Sequence, residues 1–247
     1  MPQDLTRRAF VSAAAAGAVG LTLRPGLARA EEPIAAPPTN AVILFQGDSI
    51  TDVGRNRNAA QANNGGALGD GYPFLLASAI LRDNPTRGLS IYNRGISGNT
   101  VPDLKARWEA DTIALKPTIL SILIGVNDIW HKLNGQFNGT VQDYETGYTE
   151  LLQSTRAALP DVRIVVMEPF VLLTGSVHEN WFPEFDERRA VAARVAKAAR
   201  ATFVPLHEMF ADLAKGSAPD YWLRDGVHPT LAGHAAITER WRKVVKI

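Results

Sequence analysis

The chain has 247 residues and no cysteine, with a formal net charge of +1, 46% hydrophobic residues and 21% charged residues. This balance is typical of a soluble globular domain and excludes a disordered acidic tail, a collagen-like fibre and a polytopic membrane protein. Without cysteine there is no disulfide framework, thiolate metal site or cysteine nucleophile. A net charge near zero gives no electrostatic reason to expect binding to nucleic acid.

The first 30 residues have the layout of an export signal. Four arginines against one aspartate give residues 1–30 a sum of +3, which leaves −2 for residues 31–247. Arg7 and Arg8 precede an apolar run of about 14 residues, too short to span a bilayer. The arginine pair is similar to a twin-arginine signal, and an A-x-A cleavage pattern ends at Ala30. We therefore expect export by the twin-arginine machinery, with cleavage near Ala30 and a periplasmic or secreted product; the alternative is an amphipathic first helix.

A short tether follows the predicted signal. Residues 31–40 contain three prolines, which favours an extended linker over regular structure. The domain then runs over residues 41–247, without an internal repeat or a second linker. A domain of this length is large enough to bury a substantial core.

Short apolar runs alternate with longer amphipathic stretches along the domain. Continuous apolar runs are typical of buried parallel strands, and they occur at residues 41–46, 89–93, 118–125, 162–168 and 201–206. The stretches between them predict helices at residues 72–83, 101–115, 141–158, 185–200 and 230–245. This alternation predicts right-handed β-α-β units in an α/β fold, a flavodoxin-like three-layer α/β/α sandwich around a five-stranded parallel sheet.

Polar clusters stand where such a sheet builds its active site. Ligands of open parallel sheets bind at the carboxyl ends of the strands. Clusters follow the first three strands and precede the last helix, at residues 47–52, 93–100, 125–128 and 225–229. A serine, together with a histidine and an aspartate three residues before it, can form a nucleophilic triad. Gly98 and Asn127 can supply hydrogen-bond donors to an oxyanion.

These four clusters together resemble the SGNH, or GDSL-like, hydrolase family over essentially the whole domain. The chain is similar to bacterial exported esterases of this family that are described as lysophospholipase-like or acetylesterase-like, and no signature residue is replaced. The resemblance implies an ester hydrolase in which Ser49 is the nucleophile, His228 the general base and Asp225 the residue that orients it. It also implies an oxyanion hole made by the backbone N–H groups of Ser49 and Gly98 and the side-chain amide of Asn127.

Elementary chemistry agrees with these roles. A serine hydroxyl is a poor nucleophile until a base takes its proton, and a neutral imidazole suits that task near pH 7. The spacing puts Asp225 and His228 on one short loop, and Gly98 has no side chain to shield its N–H group. Ser49 begins a turn that leads towards a helix, whose first N–H groups favour negative charge. The alternatives are a helix cap at Ser49, an ordinary turn glycine and a loop histidine.

Three loops rise from the same edge and are expected to line the substrate site, at residues 54–71, 129–140 and 169–183. They are rich in asparagine, glycine and aromatic residues. We select as candidate substrate-binding residues Asp48, Trp130, Phe170 and Trp181. The alternatives are that the aromatic side chains pack the loops together and that Asp48, like Asp52, stabilises its loop.

The substrate class follows from what the sequence carries and lacks. Export, an asparagine-rich rim and the lack of a long apolar lid favour short acyl esters, such as acetyl groups on carbohydrate. The alternatives are a lysophospholipase or thioesterase with the same triad, and a non-catalytic carbohydrate-binding module, against which the complete triad argues. The remaining histidines are interpreted as structural or substrate-lining: His131, His178, His207 and His234. They form no metal-ligand motif such as H-E-x-x-H, so neither a metal nor another cofactor is expected.

Overall fold

The fold is built on a parallel sheet, in a computed structural model that describes residues 36–247. Over this range the sheet has five strands, β1 to β5, at Val42–Gly47, Ser90–Asn93, Ile119–Leu123, Arg163–Met167 and Thr202–Val204. Their order is β2-β1-β3-β4-β5, and all neighbours run parallel. This is the flavodoxin-like order, so the predicted α/β fold is confirmed.

Four of the five predicted helices are confirmed. They are α3 (Tyr72–Asp83), α7 (Val141–Ala158), α8 (Glu184–Ala198) and α11 (Leu231–Val245). Shorter helices complete the described part: α1 (Ser49–Asp52), α2 (Gly65–Leu68), α4 (Val101–Ala106), α5 (Trp108–Asp111), α6 (Val126–Leu133), α9 (His207–Leu213) and α10 (Pro219–Trp222). Single 3₁₀ turns lie at Ile113–Leu115 and Glu179–Trp181.

The prediction of one continuous helix over residues 101–115 is wrong. The chain leaves helical geometry at Arg107, with φ −112° and ψ 6°, and again at Thr112, with φ −131°. Each residue bonds to a neighbouring segment instead. Arg107 donates to the side-chain oxygen of Gln46 and to the carbonyl of Arg94, and Thr112 accepts from the amide of Gln46. These tertiary hydrogen bonds override the local helix preference.

The core divides into two apolar layers, one on each face of the sheet. Side chains alternate between the faces along a strand. Ile43 and Phe45 of β1 therefore pack in one buried cluster with side chains of α3 and α11. Leu44, between them, packs in a second cluster with side chains of α4, α7 and α8. Burial on both faces explains the unbroken apolar sequence of β1 and confirms the α/β/α layering.

The predicted export signal falls outside the described residues. Nothing in residues 36–247 tests the division into a signal over 1–30, a tether over 31–40 and a domain over 41–247, which stays a prediction. From residue 36 onward, no helix combines the length and the apolar character needed to cross a lipid bilayer.

Candidate active site

Ser49, His228 and Asp225 form one hydrogen-bonded row at the carboxyl edge of the sheet. Ser49 Oγ lies 2.8 Å from His228 Nε2, and His228 Nδ1 lies 2.7 Å from Asp225 Oδ2. Ser49 is the first residue of α1, immediately after β1, whereas the other two residues lie on the loop before α11. The structure thus brings together three side chains from segments 179 residues apart in sequence.

Asp225 is fixed by its own loop. Its Oδ1 accepts the backbone N–H groups of Val227, at 3.1 Å, and His228, at 2.8 Å. Partial burial alone would raise the pKa of Asp225, but these hydrogen bonds and that from the His228 ring outweigh burial and hold the pKa below its ordinary value. The side chain therefore meets the imidazole as a charged, oriented carboxylate.

The loop after β4 supports Asp225 from behind. Ser176 donates its backbone N–H to the Asp225 carbonyl at 2.8 Å, and Leu172 donates to the carbonyl of Gly226 at 2.9 Å. Gly175 has a φ of +59°, and a Cβ there would lie 2.6 Å from Cα of Asp225. Only glycine combines that backbone conformation with so close an approach. The glycine thus lets the two loops pack directly on each other.

Two of the three predicted oxyanion donors, Gly98 and Asn127, lie on segments that are tied to each other and to β1. Gly98 adopts a left-handed conformation, with φ +85°, which favours glycine. The Asn127 side-chain amide donates to the carbonyl of Asn99, next to Gly98, at 3.1 Å. Ile96 in the same segment donates its N–H to the carbonyl of Gly47, at the end of β1, at 3.0 Å. Since an amide nitrogen carries two hydrogens, Asn127 retains a second one for an oxyanion.

Asp52 joins the serine loop to the Gly98 segment. One of its oxygens accepts both the backbone N–H of Ser97, at 2.9 Å, and its hydroxyl, at 2.7 Å. Arg55 and Arg57 form ion pairs with the same carboxylate. Burial would raise the pKa of Asp52, but the hydrogen bonds from Arg57 and Ser97 hold it below its ordinary value. The structure therefore places Asp52 as a brace of this loop.

Asp48, one of the candidate substrate-binding residues, is buried and caps α1. Its side chain is 1% exposed, and Oδ1 accepts the backbone N–H of Ile50 at 3.0 Å, which caps α1. Burial raises the pKa of Asp48 to about 7, and the nearby Asp128 adds to the shift. The alternative interpretation, that Asp48 stabilises its loop, fits this geometry, because the carboxyl is buried and caps α1.

Asp128 is a second buried carboxyl, and it is not one of the predicted site residues. Its Oδ1 accepts the backbone N–H of Val101, the first residue of α4, at 3.1 Å. Burial raises the pKa of Asp128 to about 7, and the hydrogen bond from Val101 opposes the shift. In the described part of the chain, Oδ2 of Asp128 and Oδ2 of Asp48 are buried without a hydrogen-bond partner. In the sequence, the feature that points to Asp128 is its position directly after Asn127.

The aromatic candidates separate into one at the site and two in the core. The Trp130 ring is partly exposed, with its centroid 5.7 Å from the ring of His228. Trp181 is 2% exposed and packs behind Trp130, with ring centroids 5.6 Å apart. Phe170 is fully buried against Phe210, at 4.6 Å. The rings of Trp181 and Phe170 fill the core beneath the loops, which fits the alternative that aromatic side chains pack the loops together. Trp130 also lies on α6 instead of on the expected loop.

The other histidines include two with structural surroundings. His234 accepts the backbone N–H of Tyr72, and burial lowers its pKa to about 4. Burial, with Arg189 nearby, also lowers the pKa of His207. Within residues 36–247, no group of three or more histidine, aspartate or glutamate side chains is arranged to hold a metal ion.

The fold and the arrangement of Ser49, His228 and Asp225 fit an ester hydrolase. The chain belongs to the GDSL-like Lipase/Acylhydrolase family, whose pattern matches residues 45–236. A curated relative, an acetylxylan esterase from Geobacillus stearothermophilus, is 34% identical over 207 residues, covering 82% of this chain and 93% of the relative. Family membership and this relative together make the chain a carboxylic ester hydrolase.

Solved structures agree with that assignment. A protein from Parabacteroides merdae assigned as a GDSL-like lipase superposes with a TM-score of 0.83 at 42% identity, covering 87% of this chain and 99% of that one. The crystal structure of the Geobacillus stearothermophilus acetylxylan esterase superposes with a TM-score of 0.77 at 32% identity, covering 86% and 97%. Structures of that esterase include catalytic mutants in which a serine, an aspartate or a histidine is replaced by alanine.

Proposed function

We propose that this protein hydrolyses short acyl esters, acetyl esters of carbohydrates in particular, through a Ser49–His228–Asp225 triad and an acyl-enzyme. The observation that carries the triad is the continuous row of hydrogen bonds from Ser49 Oγ through both ring nitrogens of His228 to Asp225. Serine, histidine and aspartate are also the residue types replaced in the catalytic mutants of the related acetylxylan esterase.

Acylation begins when Ser49 Oγ attacks the carbonyl carbon of the ester. His228 Nε2 accepts the hydroxyl proton as the new C–O bond forms, and the charged Asp225 stabilises the imidazolium. The negative charge on the carbonyl oxygen is then met by donors held before the reaction starts: the N–H groups of Ser49 and Gly98 and the amide of Asn127. The tetrahedral intermediate collapses, the bond to the alcohol oxygen breaks, and His228 returns the proton to that oxygen.

Deacylation repeats the same chemistry with water. His228 Nε2 takes a proton from a water molecule, whose oxygen attacks the acyl carbonyl and forms a second tetrahedral intermediate. Collapse of that intermediate breaks the bond to Ser49 Oγ, which recovers its proton from His228. The carboxylic acid leaves, and the enzyme returns to its starting state.

The carbohydrate part of the proposal has two supports. A curated relative that covers 82% of this chain is an acetylxylan esterase. The partly exposed Trp130 ring lies beside His228, where the alcohol must leave, and aromatic rings offer a flat apolar surface to the C–H face of a sugar.

Export belongs to the same proposal. The arginine pair at Arg7 and Arg8, the apolar run and the A-x-A pattern ending at Ala30 support transport by the twin-arginine machinery to the periplasm or beyond. Sequencing the amino terminus of the exported protein tests this step. A start near Glu31 is expected, and retention of the first 30 residues would contradict it.

The Ser49→Ala variant tests the chemistry directly. It should lose hydrolysis of p-nitrophenyl acetate by several orders of magnitude, and a fluorophosphonate should label the wild type but not the variant. The matched control is Ser78→Ala on the outer surface of α3, where the hydroxyl bonds only to its own helix. Turnover near the wild-type value in Ser49→Ala would refute the mechanism. Release of acetate from acetylated xylan, compared with hydrolysis of a lysophospholipid, tests the substrate class.

A further inference from the structure

Helix α6 carries three polar or aromatic side chains towards the candidate active site. Asn127 is in its first turn, and Trp130 and His131 follow three and four positions later. With 3.6 residues per turn, a residue three positions on lies about 60° to one side of Asn127, and one four positions on lies about 40° to the other side. Trp130 and His131 therefore flank Asn127 on opposite sides of one helix face.

The two flanking residues have different neighbours. The Trp130 ring lies beside His228, with centroids 5.7 Å apart. The His131 ring lies beside Gly98: its Cε1 atom would be 4.0 Å from a Cβ placed on that glycine. One side of α6 thus faces the candidate general base, and the other faces a candidate oxyanion donor.

The helix that presents these residues is firmly held. Trp181, itself buried, packs behind Trp130. Lys132, the next residue after His131, forms an ion pair with Glu184 of α8 at 2.7 Å. Side chains on a fixed helix can define the dimensions of a pocket more sharply than side chains on a loop.

The His131 ring has no structural partner that would explain its place. It is partly exposed, and among residues 36–247 it forms no side-chain hydrogen bond, ion pair or ring contact. By contrast, His234 is buried and accepts the N–H of Tyr72, and the His207 ring contacts the Phe185 ring. A half-buried imidazole beside Gly98 is therefore available to whatever occupies the site.

The reaction geometry assigns a part of the substrate to each side. This step rests on the proposed function. The leaving alcohol must lie within hydrogen-bond reach of His228 Nε2, which returns its proton. The alcohol consequently lies on the Trp130 side. The oxyanion itself occupies the hole, so the acyl chain, the remaining substituent of the carbonyl carbon, extends away from His228 and past the rim of the hole, where His131 lies beside Gly98.

We propose that two residues of α6 determine the specificity for the two halves of the ester. Trp130 packs against the alcohol, and the ring of His131 limits the length of the acyl pocket, so that only short acyl groups fit. Specificity for a small acyl group then follows from bulk, because the imidazole occupies the volume that a longer chain would need. Specificity for a sugar alcohol follows from the aromatic surface. The two preferences are therefore separable by mutation.

Two substrate series separate these effects in His131→Ala and Trp130→Ala. The first series keeps p-nitrophenol as the alcohol and varies the acyl group from acetate through butyrate to hexanoate. The second keeps acetate and compares ethyl acetate with an acetylated methyl xyloside. His131→Ala should raise the butyrate-to-acetate ratio of kcat/KM about tenfold and leave the second series unchanged. Trp130→Ala should lower the ratio of xyloside to ethyl acetate about tenfold and leave the acyl ratio unchanged.

Two further variants make the result decisive. His131→Phe keeps the bulk of the ring without its nitrogens and should retain the wild-type acyl preference. Gln153→Ala truncates an exposed polar side chain on α7, outside the three loops expected to line the site, and should change neither ratio. Unchanged ratios in both α6 variants, or a change in the alcohol series by His131→Ala, would overturn the inference. If Ser49→Ala stays active, the proposed function itself fails, whatever the ratios show.

Discussion

Two kinds of carboxylate surround Ser49, and their environments shift the pKa in opposite directions. Asp225 and Asp52 accept several hydrogen bonds each, and their pKa values lie below the ordinary value although burial opposes this. Asp48 and Asp128 each accept one backbone N–H on Oδ1, keep Oδ2 without a partner in the described residues, and have pKa values of about 7. The depth of burial differs as well, because Asp48 and Asp128 are enclosed whereas Asp225 is partly exposed. A larger number of donors, and for Asp225 weaker burial, keeps Asp52 and Asp225 charged.

The difference in pKa between the two pairs of carboxylates corresponds to different structural roles around Ser49. Charged carboxylates lie where a cation must be oriented or held: Asp225 beside His228, and Asp52 beside Arg55 and Arg57. The carboxyls with raised pKa lie beneath the helix ends that present the serine and the oxyanion donors. A neutral carboxyl there still accepts one hydrogen bond, and it avoids the large cost of a buried, unpaired charge.

Replacing Asp225 should have the largest effect on activity. Asp225→Asn keeps the size of the side chain but removes the charge that stabilises the imidazolium and fixes its tautomer. We expect kcat for p-nitrophenyl acetate to fall by about 10³- to 10⁴-fold. Asp220→Asn, exposed on α10 in the same region, is the matched control and should retain full activity. A loss of less than tenfold in Asp225→Asn would show that the carboxylate only positions the loop.

Replacing Asp52 should have the next largest effect, on stability. Asp52→Ala leaves the nearly buried Arg55 guanidinium without its partner carboxylate and frees the Ser97 segment. Breaking a buried ion pair on one side costs about 3 kcal/mol, which urea unfolding at pH 7 would measure. Asp212→Ala breaks an exposed pair with Lys215 and should leave the unfolding midpoint unchanged. Equal midpoints in the two variants would contradict the role of Asp52 as a brace.

Much of this arrangement could be read from the sequence, because it rests on local patterns. Apolar runs identify strands since a parallel sheet is buried on both faces, and Asp225 and His228 share one loop. The directions of side chains could not be read in the same way. The sequence places Asp48 beside Ser49, but only the fold shows that its carboxyl lies beneath α1, away from solvent.

The aromatic residues illustrate the same limit. Trp130, Phe170 and Trp181 all follow strand ends, so their sequence positions are equivalent. Packing makes them different: two rings are needed to fill the core, and one remains partly exposed beside His228. The break at Arg107 has a similar cause, since its partners Gln46 and Arg94 belong to segments far away in the chain. Helix propensity contains no information about such contacts.

The buried carboxyls predict a dependence of stability on pH with a definite sign. In the unfolded chain an aspartate loses its proton near pH 3.8, whereas in the folded chain Asp48 and Asp128 retain theirs until about pH 7. Between these values the folded state binds more protons than the unfolded state, so this contribution to stability falls as the pH rises from about 4 to 7. Asp52 and Asp225 act in the opposite sense: their contribution is present above pH 3.8 and is lost as the pH falls through their lowered pKa values.

The smallest effect among the substitutions of Asp225, Asp52 and Asp128 is expected for Asp128→Asn, and it concerns how stability depends on pH. The amide retains an oxygen to accept the N–H of Val101 but does not ionise. The variant therefore does not lose the stability that the wild type loses between pH 4 and 7 through ionisation of Asp128. Relative to the wild type, the free energy of unfolding of the variant should therefore be higher at pH 8 than at pH 5, whatever the absolute cost of the substitution. Urea unfolding at both pH values measures this difference, with Asp220→Asn as the exposed control. An equal difference at the two pH values would show that Asp128 is ionised in the folded state, and Asp128 would then belong with Asp225 and Asp52.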